Sequence, residues 1–323
     1  MTYSRIIGTG SYLPEKVLTN ADLERMVDTS DSWIVERTGI RERRIAGEGE
    51  YCSHLAIAAA RNAMAAANVG PTDIDCLIIG TCTPDQVFPS TACLVQYALG
   101  LKPGGVAFDV SAACSGFVYA LDVADRFIRT GGARRAMVIG AETMSRVINW
   151  TDRGTCILFG DGAGAVILEA GDEPGIYSTH LHADGQYENL LTVPWGVSQG
   201  VEAMTPEGGK IVMRGNEVFK VAVRTLGRMV EETLVANGMT HADVDWLVPH
   251  QANIRIIQAT ARKLGLPMER VILTVAEHGN TSSASIPLAL DAGIRDGRIK
   301  RGQNLLLEAF GGGFTWGSAL LRY

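Results

Sequence analysis

Val106-Ala107-Phe108-Asp109-Val110-Ser111-Ala112-Ala113-Cys114-Ser115-Gly116 runs from an apolar strand, through small residues, into a helical pattern. Cys114 stands at the junction. At a helix start the first N–H groups have no intrahelical acceptor and the dipole presents its positive end, so a thiol there is expected to ionise readily. Without such a setting a cysteine is a small hydrophobe. Cys52, Cys76, Cys82, Cys93 and Cys156 have no CxxC spacing and are expected to be packing, with no disulfide framework in a long, reduced chain.

Around this junction the chain repeats itself. Thr72-Asp73-Ile74-Asp75-Cys76-Leu77-Ile78-Ile79 has a counterpart in Ala242-Asp243-Val244-Asp245-Trp246-Leu247-Val248-Pro249. Leu99-Gly100-Leu101 leading to Val106–Val110 is echoed by Leu264-Gly265-Leu266 leading to Val271–Val275. The echo continues in Ala120-Leu121-Asp122 against Ala289-Leu290-Asp291, and in Ala136–Gly140 against Asn304–Glu308. A duplicated α/β unit follows, with halves 1–172 and 173–323 meeting at the turn-rich Gly171-Asp172-Glu173-Pro174-Gly175. Continuous apolar strands such as Cys76–Ile79 suit sheets covered by helices on both faces. The alanine-rich segment Ala56 to Ala67 is expected to be a helix sandwiched between two sheets, where close approach is needed. Thr29-Ser30-Asp31 caps a short helix that Gly39 stops, which places Trp33 and Arg37 on one face. Glycine-rich Gly185 to Lys210 is expected to be a long covering loop.

The chain has 323 residues, 46% hydrophobic and 20% charged, which fits an ordinary globular protein of about two domains. A net charge of -6 argues against nucleic acid as the main partner. No stretch approaches a membrane span and Met1–Gly8 holds no apolar signal core, so a cytoplasmic location is expected.

His250 follows the strand Trp246–Pro249, and Asn280 lies in Glu277–Ser283, the second unit's strand-to-helix junction. If the two junctions face one centre, a thiolate, an imidazole and a carboxamide meet. Such a set suits acyl chemistry, in which one atom attacks a thioester and two donors hold the negative charge of an enolate oxygen. Gly160–Ala165 formally fits a dinucleotide fingerprint, but Val166-Ile167-Leu168 continues it as strand where that motif needs a helix. Strand alternation accounts for His180, His182 and Asp184, so no metal is expected there. His278 is either a further donor near the centre or a shaper of its loop.

Taken end to end, the chain resembles the β-ketoacyl-acyl carrier protein synthase III family of the thiolase-like superfamily, the initiating condensing enzymes of bacterial fatty acid synthesis. The likeness rests on Gly8–Pro14, Trp33–Ile40, Thr151–Thr155, Phe159–Ala165, Pro249-His250-Gln251-Ala252-Asn253 and Gly311–Gly317. It implies an α-β-α-β-α layered, duplicated thiolase-like fold with two pseudo-twofold-related halves. It implies a catalytic set of Cys114, His250 and Asn280, with an oxyanion hole from the N–H groups of Cys114 and Gly312. Coenzyme A contacts follow at Trp33, Arg37, Arg153 and Asn216, with acyl-CoA and malonyl-acyl carrier protein as substrates and no metal or redox cofactor. Phe88 matches a residue that closes the acyl pocket of the partner subunit, which implies a homodimer. Lys220, Arg255 and Lys263 match the carrier-protein docking face. Lys220, Arg224 and Arg228 recur at helical spacing and, beside Arg255, Arg262 and Lys263, form either a solvated face or a positive rim on a negative protein. Within the same fold, a thiolase needs a second cysteine near Gly311–Trp316, and elongating synthases use two histidines. A chalcone-synthase-like enzyme shares the Cys, His, Asn set and is the nearest alternative, and a carrier-binding scaffold without catalysis is the alternative from another class.

Overall fold

The computed structural model describes residues 2–205 and 207–323. The apolar runs form two sheets. The first holds β1 (Tyr3–Tyr12), β2 (Cys76–Gly80), β3 (Val106–Val110), β4 (Arg135–Thr143) and β5 (Asp161–Gly171), in the order β1-β5-β4-β2-β3. The second holds β6 (Ile176–Ala183), β7 (Trp246–Pro249), β8 (Asn304–Gly311) and β9 (Thr315–Arg322), in the order β7-β8-β9-β6. Strand β2 runs parallel to β3 and β4, and β7 runs parallel to β8. The other neighbours are antiparallel. A parallel bridge from Leu247 to Val271 puts the Val271 segment beside β7, where the first sheet has β3 beside β2. Each sheet is drawn from one side of the Gly171–Gly175 turn.

The longer helices are α1 (Asp31–Thr38), α2 (Cys52–Ala67), α3 (Thr91–Leu99), α4 (Gly116–Arg129), α5 (Gly215–Ala236), α6 (Ile254–Lys263) and α7 (Ser285–Arg295). Strand alternation assigns them to layers. In β2, Cys76 and Ile78 face a core shared with Phe117 and Leu121 of α4 and Ile286 and Leu290 of α7. Leu77 and Ile79 face α2 and α3 on the opposite side. In β8, Leu305 and Leu307 join the same central core, while Leu306 packs outward with Ile257 of α6 and Val230 of α5. The result is α-β-α-β-α, with α4 and α7 in the middle layer.

The alanine-rich helix is not the sandwiched one. Helix α2 lies in an outer layer, against β1, β4 and β5 of the first sheet alone. Its small side chains do serve close approach: a Cβ on Gly10 of β1 would stand 2.2 Å from the Ala63 nitrogen. The sandwiched helices achieve their approach where they start. A Cβ on Gly80 would sit 2.5 Å from the Gly116 carbonyl carbon, and one on Gly140 would sit 2.3 Å from the Ser283 oxygen. Helix α1 is capped as its sequence predicts, with the Ser30 hydroxyl accepting from the Trp33 N–H and Gly39 closing it at φ 78°. The covering loop is a series of 3-10 turns, Gly185–Leu190, Val197–Gln199 and Val201–Ala203, with a short ribbon pairing Leu191–Thr192 to Val212–Met213.

Candidate active site

Cys114 sits in a one-turn 3-10 helix, Ala113–Ser115, immediately ahead of α4. The same turn recurs as Ser282–Ala284 ahead of α7. Both open on a left-handed residue, Ala113 at φ 45° and Ser282 at φ 52°, a conformation that costs a non-glycine residue about 1 kcal/mol. The positional counterpart of Cys114 is therefore Ser283, whose hydroxyl donates to the Gly80 carbonyl at 2.6 Å. Asn280 stands earlier in the second junction.

Burial changes the expectation for the thiol. Cys114 is only 7% exposed, and desolvation pushes its pKa up to about 12, with the Ser282 hydroxyl opposing and the buried Glu142 reinforcing the rise. A helix start favours the thiolate, but here the loss of water outweighs it. In the free chain Cys114 is a thiol.

His250 continues the β7 ladder, its N–H donating to the Glu308 carbonyl at 2.7 Å. Its Nδ1 lies 2.7 Å from the Ser285 hydroxyl. Burial lowers the ring's pKa to about 3, so the imidazole is neutral at neutral pH. Asn280 is pinned through its backbone: its N–H donates to the Leu158 carbonyl at 2.8 Å, and its carbonyl accepts from the Gly160 N–H at 3.0 Å. Its Oδ1 accepts from the Ser282 N–H at 2.9 Å. Because a backbone N–H can be met only by an acceptor, the amide oxygen must face Ser282, and the NH₂ remains as the donor.

One cavity of about 300 Å³ is lined by Cys114, His250 and Asn280 together with Trp33, Arg37, Asn216 and Arg255. Arg153 lies beside it, its guanidinium 5.3 Å from the Trp33 ring centre, while that of Arg37 lies 4.6 Å away. Gly312 belongs to the β8–β9 turn, which abuts Cys114: a Cβ on neighbouring Gly311 would stand 2.6 Å from the Cys114 nitrogen. Lys220 and Lys263 are outside the lining, exposed on α5 and α6, where the Lys263 stem lies across Gly227. Phe88 is 83% exposed and also lies outside it, on the loop after β2, with exposed Val87 and Tyr97.

Several residues of the site were not foreseen. Phe219, Phe310 and Glu308 line the same cavity, and burial raises the Glu308 pKa to about 8. Glu142 is buried behind the Cys114 turn and accepts from Thr83, Ser282 and the Cys82 N–H. Only the serine-rich run Ser282-Ser283-Ala284-Ser285 hints at this polar floor in the sequence. The remaining candidates have structural partners. His180 and His182 both approach Glu232, Asp184 caps a 3-10 turn, and Asp161–Gly171 is strand throughout. His278 lies outside the lining, with its carbonyl 2.6 Å from where a Gly160 Cβ would be.

The sequence profile of 3-oxoacyl-[acyl-carrier-protein (ACP)] synthase III matches residues 108–185, and that of its C-terminal part matches residues 234–323. A beta-ketoacyl-[acyl-carrier-protein] synthase III of Alkalilimnicola ehrlichii is 68% identical over 323 residues, covering 100% of both chains. The chain belongs to the 3-oxoacyl-[acyl-carrier-protein] synthase III family. A synthase III of Thioalkalivibrio sulfidiphilus is 64% identical, again with 100% of both chains covered. The crystal structure of the synthase III from Aquifex aeolicus superposes with a TM-score of 0.92 at 50% identity, covering 99% of this chain and 100% of that one. The fold is thus the thiolase-like fold of synthase III, and the chain is a condensing acyltransferase.

Proposed function

We propose that the chain primes fatty acid synthesis by condensing a short acyl-CoA, acetyl-CoA in the simplest case, with malonyl-acyl carrier protein. The meeting of Cys114, His250 and Asn280 in one buried cavity carries this reading. The Cys114 sulfur attacks the acyl-CoA carbonyl, the new thioester forms, and coenzyme A leaves with the proton as its thiol. N–H groups of Cys114 and Gly312 hold the oxyanion. Malonyl-carrier protein then loses carbon dioxide, and the electron pair passes to its thioester oxygen as an enolate held by His250 and the Asn280 NH₂. The enolate carbon attacks acyl-Cys114 and releases the 3-oxoacyl-carrier protein, after which the Cys114 thiolate takes a proton from solvent. Coenzyme A enters as the acyl thioester substrate, no resident cofactor takes part in this reading, and a cytoplasmic location suits these substrates.

Trp33, Arg37, Arg153 and Asn216 are the contacts proposed for coenzyme A. An adenine stacked on both Trp33 and Arg153 needs about 7 Å between them, against the 5.3 Å present. Arg153 therefore swings outward when acyl-CoA binds, giving up its hydrogen bond to the Asp28 carbonyl. Carrier protein docks on α5 and α6, where Lys220, Arg224, Arg228, Arg255, Arg262 and Lys263 form no ion pair among the described residues. Arg255 also lies over Phe219 at the cavity wall. The reading is tested by intact mass after incubation with acyl-CoA. One acyl group is expected on the wild type and none on Cys114→Ala, and an adduct on folded Cys114→Ala refutes it.

A further inference from the structure

Ser285 opens α7 and is 1% exposed, so its hydroxyl must be satisfied within the protein. It accepts from the Gln251 N–H at 2.7 Å. That donor is rigidly placed: the Gln251 amide donates to the Pro249 and Ile272 carbonyls and accepts from the N–H groups of Thr274 and Val275. The one other polar atom within hydrogen-bond reach of the Ser285 hydroxyl, among the described residues, is His250 Nδ1 at 2.7 Å. If Nδ1 carried the ring proton, it would donate to Ser285, and the serine hydrogen would be buried with no acceptor. With the proton on Nε2, every group is met: the Gln251 N–H donates to the hydroxyl, and the hydroxyl donates to Nδ1.

We propose that Ser285 is a positioning residue that holds His250 as its Nε2–H tautomer, making the ring a dedicated donor to the malonyl thioester oxygen and unfit to take the Cys114 proton. This deepens, and rests on, the proposed condensation. A neutral imidazole donating from Nε2 stabilises the developing enolate oxygen, and it has no lone pair left on the cavity side to act as a base. Ser285 thereby separates the two half-reactions, serving decarboxylation and leaving acylation alone.

The tautomer is read directly by long-range ¹H–¹⁵N correlation on protein labelled with ¹⁵N-histidine, the His250 signals being assigned by their loss in His250→Ala. The wild type is expected to show a protonated Nε2 and an unprotonated Nδ1. A protonated Nδ1 overturns the proposal, whatever any variant does. In Ser285→Ala, mixed tautomers are expected. Carbon dioxide release from malonyl-carrier protein should fall about ten- to a hundredfold, the range for losing a group that orients an imidazole, while acylation of Cys114 stays within about twofold of wild type. Ser285→Thr, which keeps the hydroxyl, should recover most of the decarboxylation. Unchanged carbon dioxide release in Ser285→Ala, or equal losses in both half-reactions, overturns the proposal. If the wild type neither takes an acyl group nor releases carbon dioxide, the proposed function fails, and the tautomer measurement shows separately whether Ser285 sets the ring.

Discussion

Cys114 is held as a thiol by burial, and its reactivity towards a small electrophile should follow from that. With the pKa pushed up to about 12, the thiolate fraction grows about tenfold for each pH unit far below that value. Iodoacetamide labelling of Cys114, followed by peptide mass, should rise steadily from pH 7 to pH 10. A plateau near pH 7 would show that the helix start prevails over desolvation. This residue also marks a limit of the sequence. The junction and the candidate nucleophile are legible in Val106–Gly116, but the balance between dipole and burial depends on how tightly the second unit closes over it. Asn280 was legible as a candidate donor. Its direction was not, because the amide is oriented by the Ser282 N–H two residues on.

The helices that carry the site show where local pattern suffices. Helix α1 was readable from its cap, its stop and the shared face of Trp33 and Arg37. Helix α2 was readable as a helix but not in its layer, because small side chains imply close approach without naming the surface approached. Ser285 and Glu142 were hidden for another reason: their partners, His250 and the loop after β2, lie far away in sequence. On α5 and α6 the basic side chains are exposed and, among the described residues, form no ion pair, so the attraction proposed for an acidic carrier is long-range and screened by salt. Arg255→Glu should raise the KM for malonyl-carrier protein at least tenfold while leaving acylation by acyl-CoA within about threefold. Raised salt should weaken the wild-type carrier complex in the same selective way. Since Arg255 also lines the cavity, equal losses with both substrates would point to coenzyme A contacts instead of docking.

At the scale of the molecule, β3 pairs with β2 on one side and, among the described residues, has no strand on the other. Exposed Val87, Phe88 and Tyr97 belong to the loop and helix on that flank of the sheet. An open edge beside exposed apolar side chains suits pairing with a second copy, which would carry Phe88 to the partner's acyl pocket. Sedimentation should give a dimer at micromolar concentration, with hydrogen exchange slow in β3 despite its edge position. A monomer with fast exchange in β3 would contradict this arrangement. The duplication was legible from the repeated strand and helix fragments, and the two sheets carry one strand order on either side of Gly171–Gly175. What repetition left open was how the two junctions divide the chemistry. Cys114 matches Ser283 in position, and the candidate donors His250 and Asn280 both come from the second unit.

That division is tested most directly by one paired measurement on His250→Ala and Asn280→Ala: labelled acyl transfer from acyl-CoA to protein, and labelled carbon dioxide from carboxyl-labelled malonyl-carrier protein. Losing one donor aimed at an oxyanion typically costs about 100- to 1000-fold in rate. Both variants should still acylate Cys114, and carbon dioxide release should fall by that factor. Wild-type rates of carbon dioxide release in both would contradict the assignment of His250 and Asn280 to the enolate.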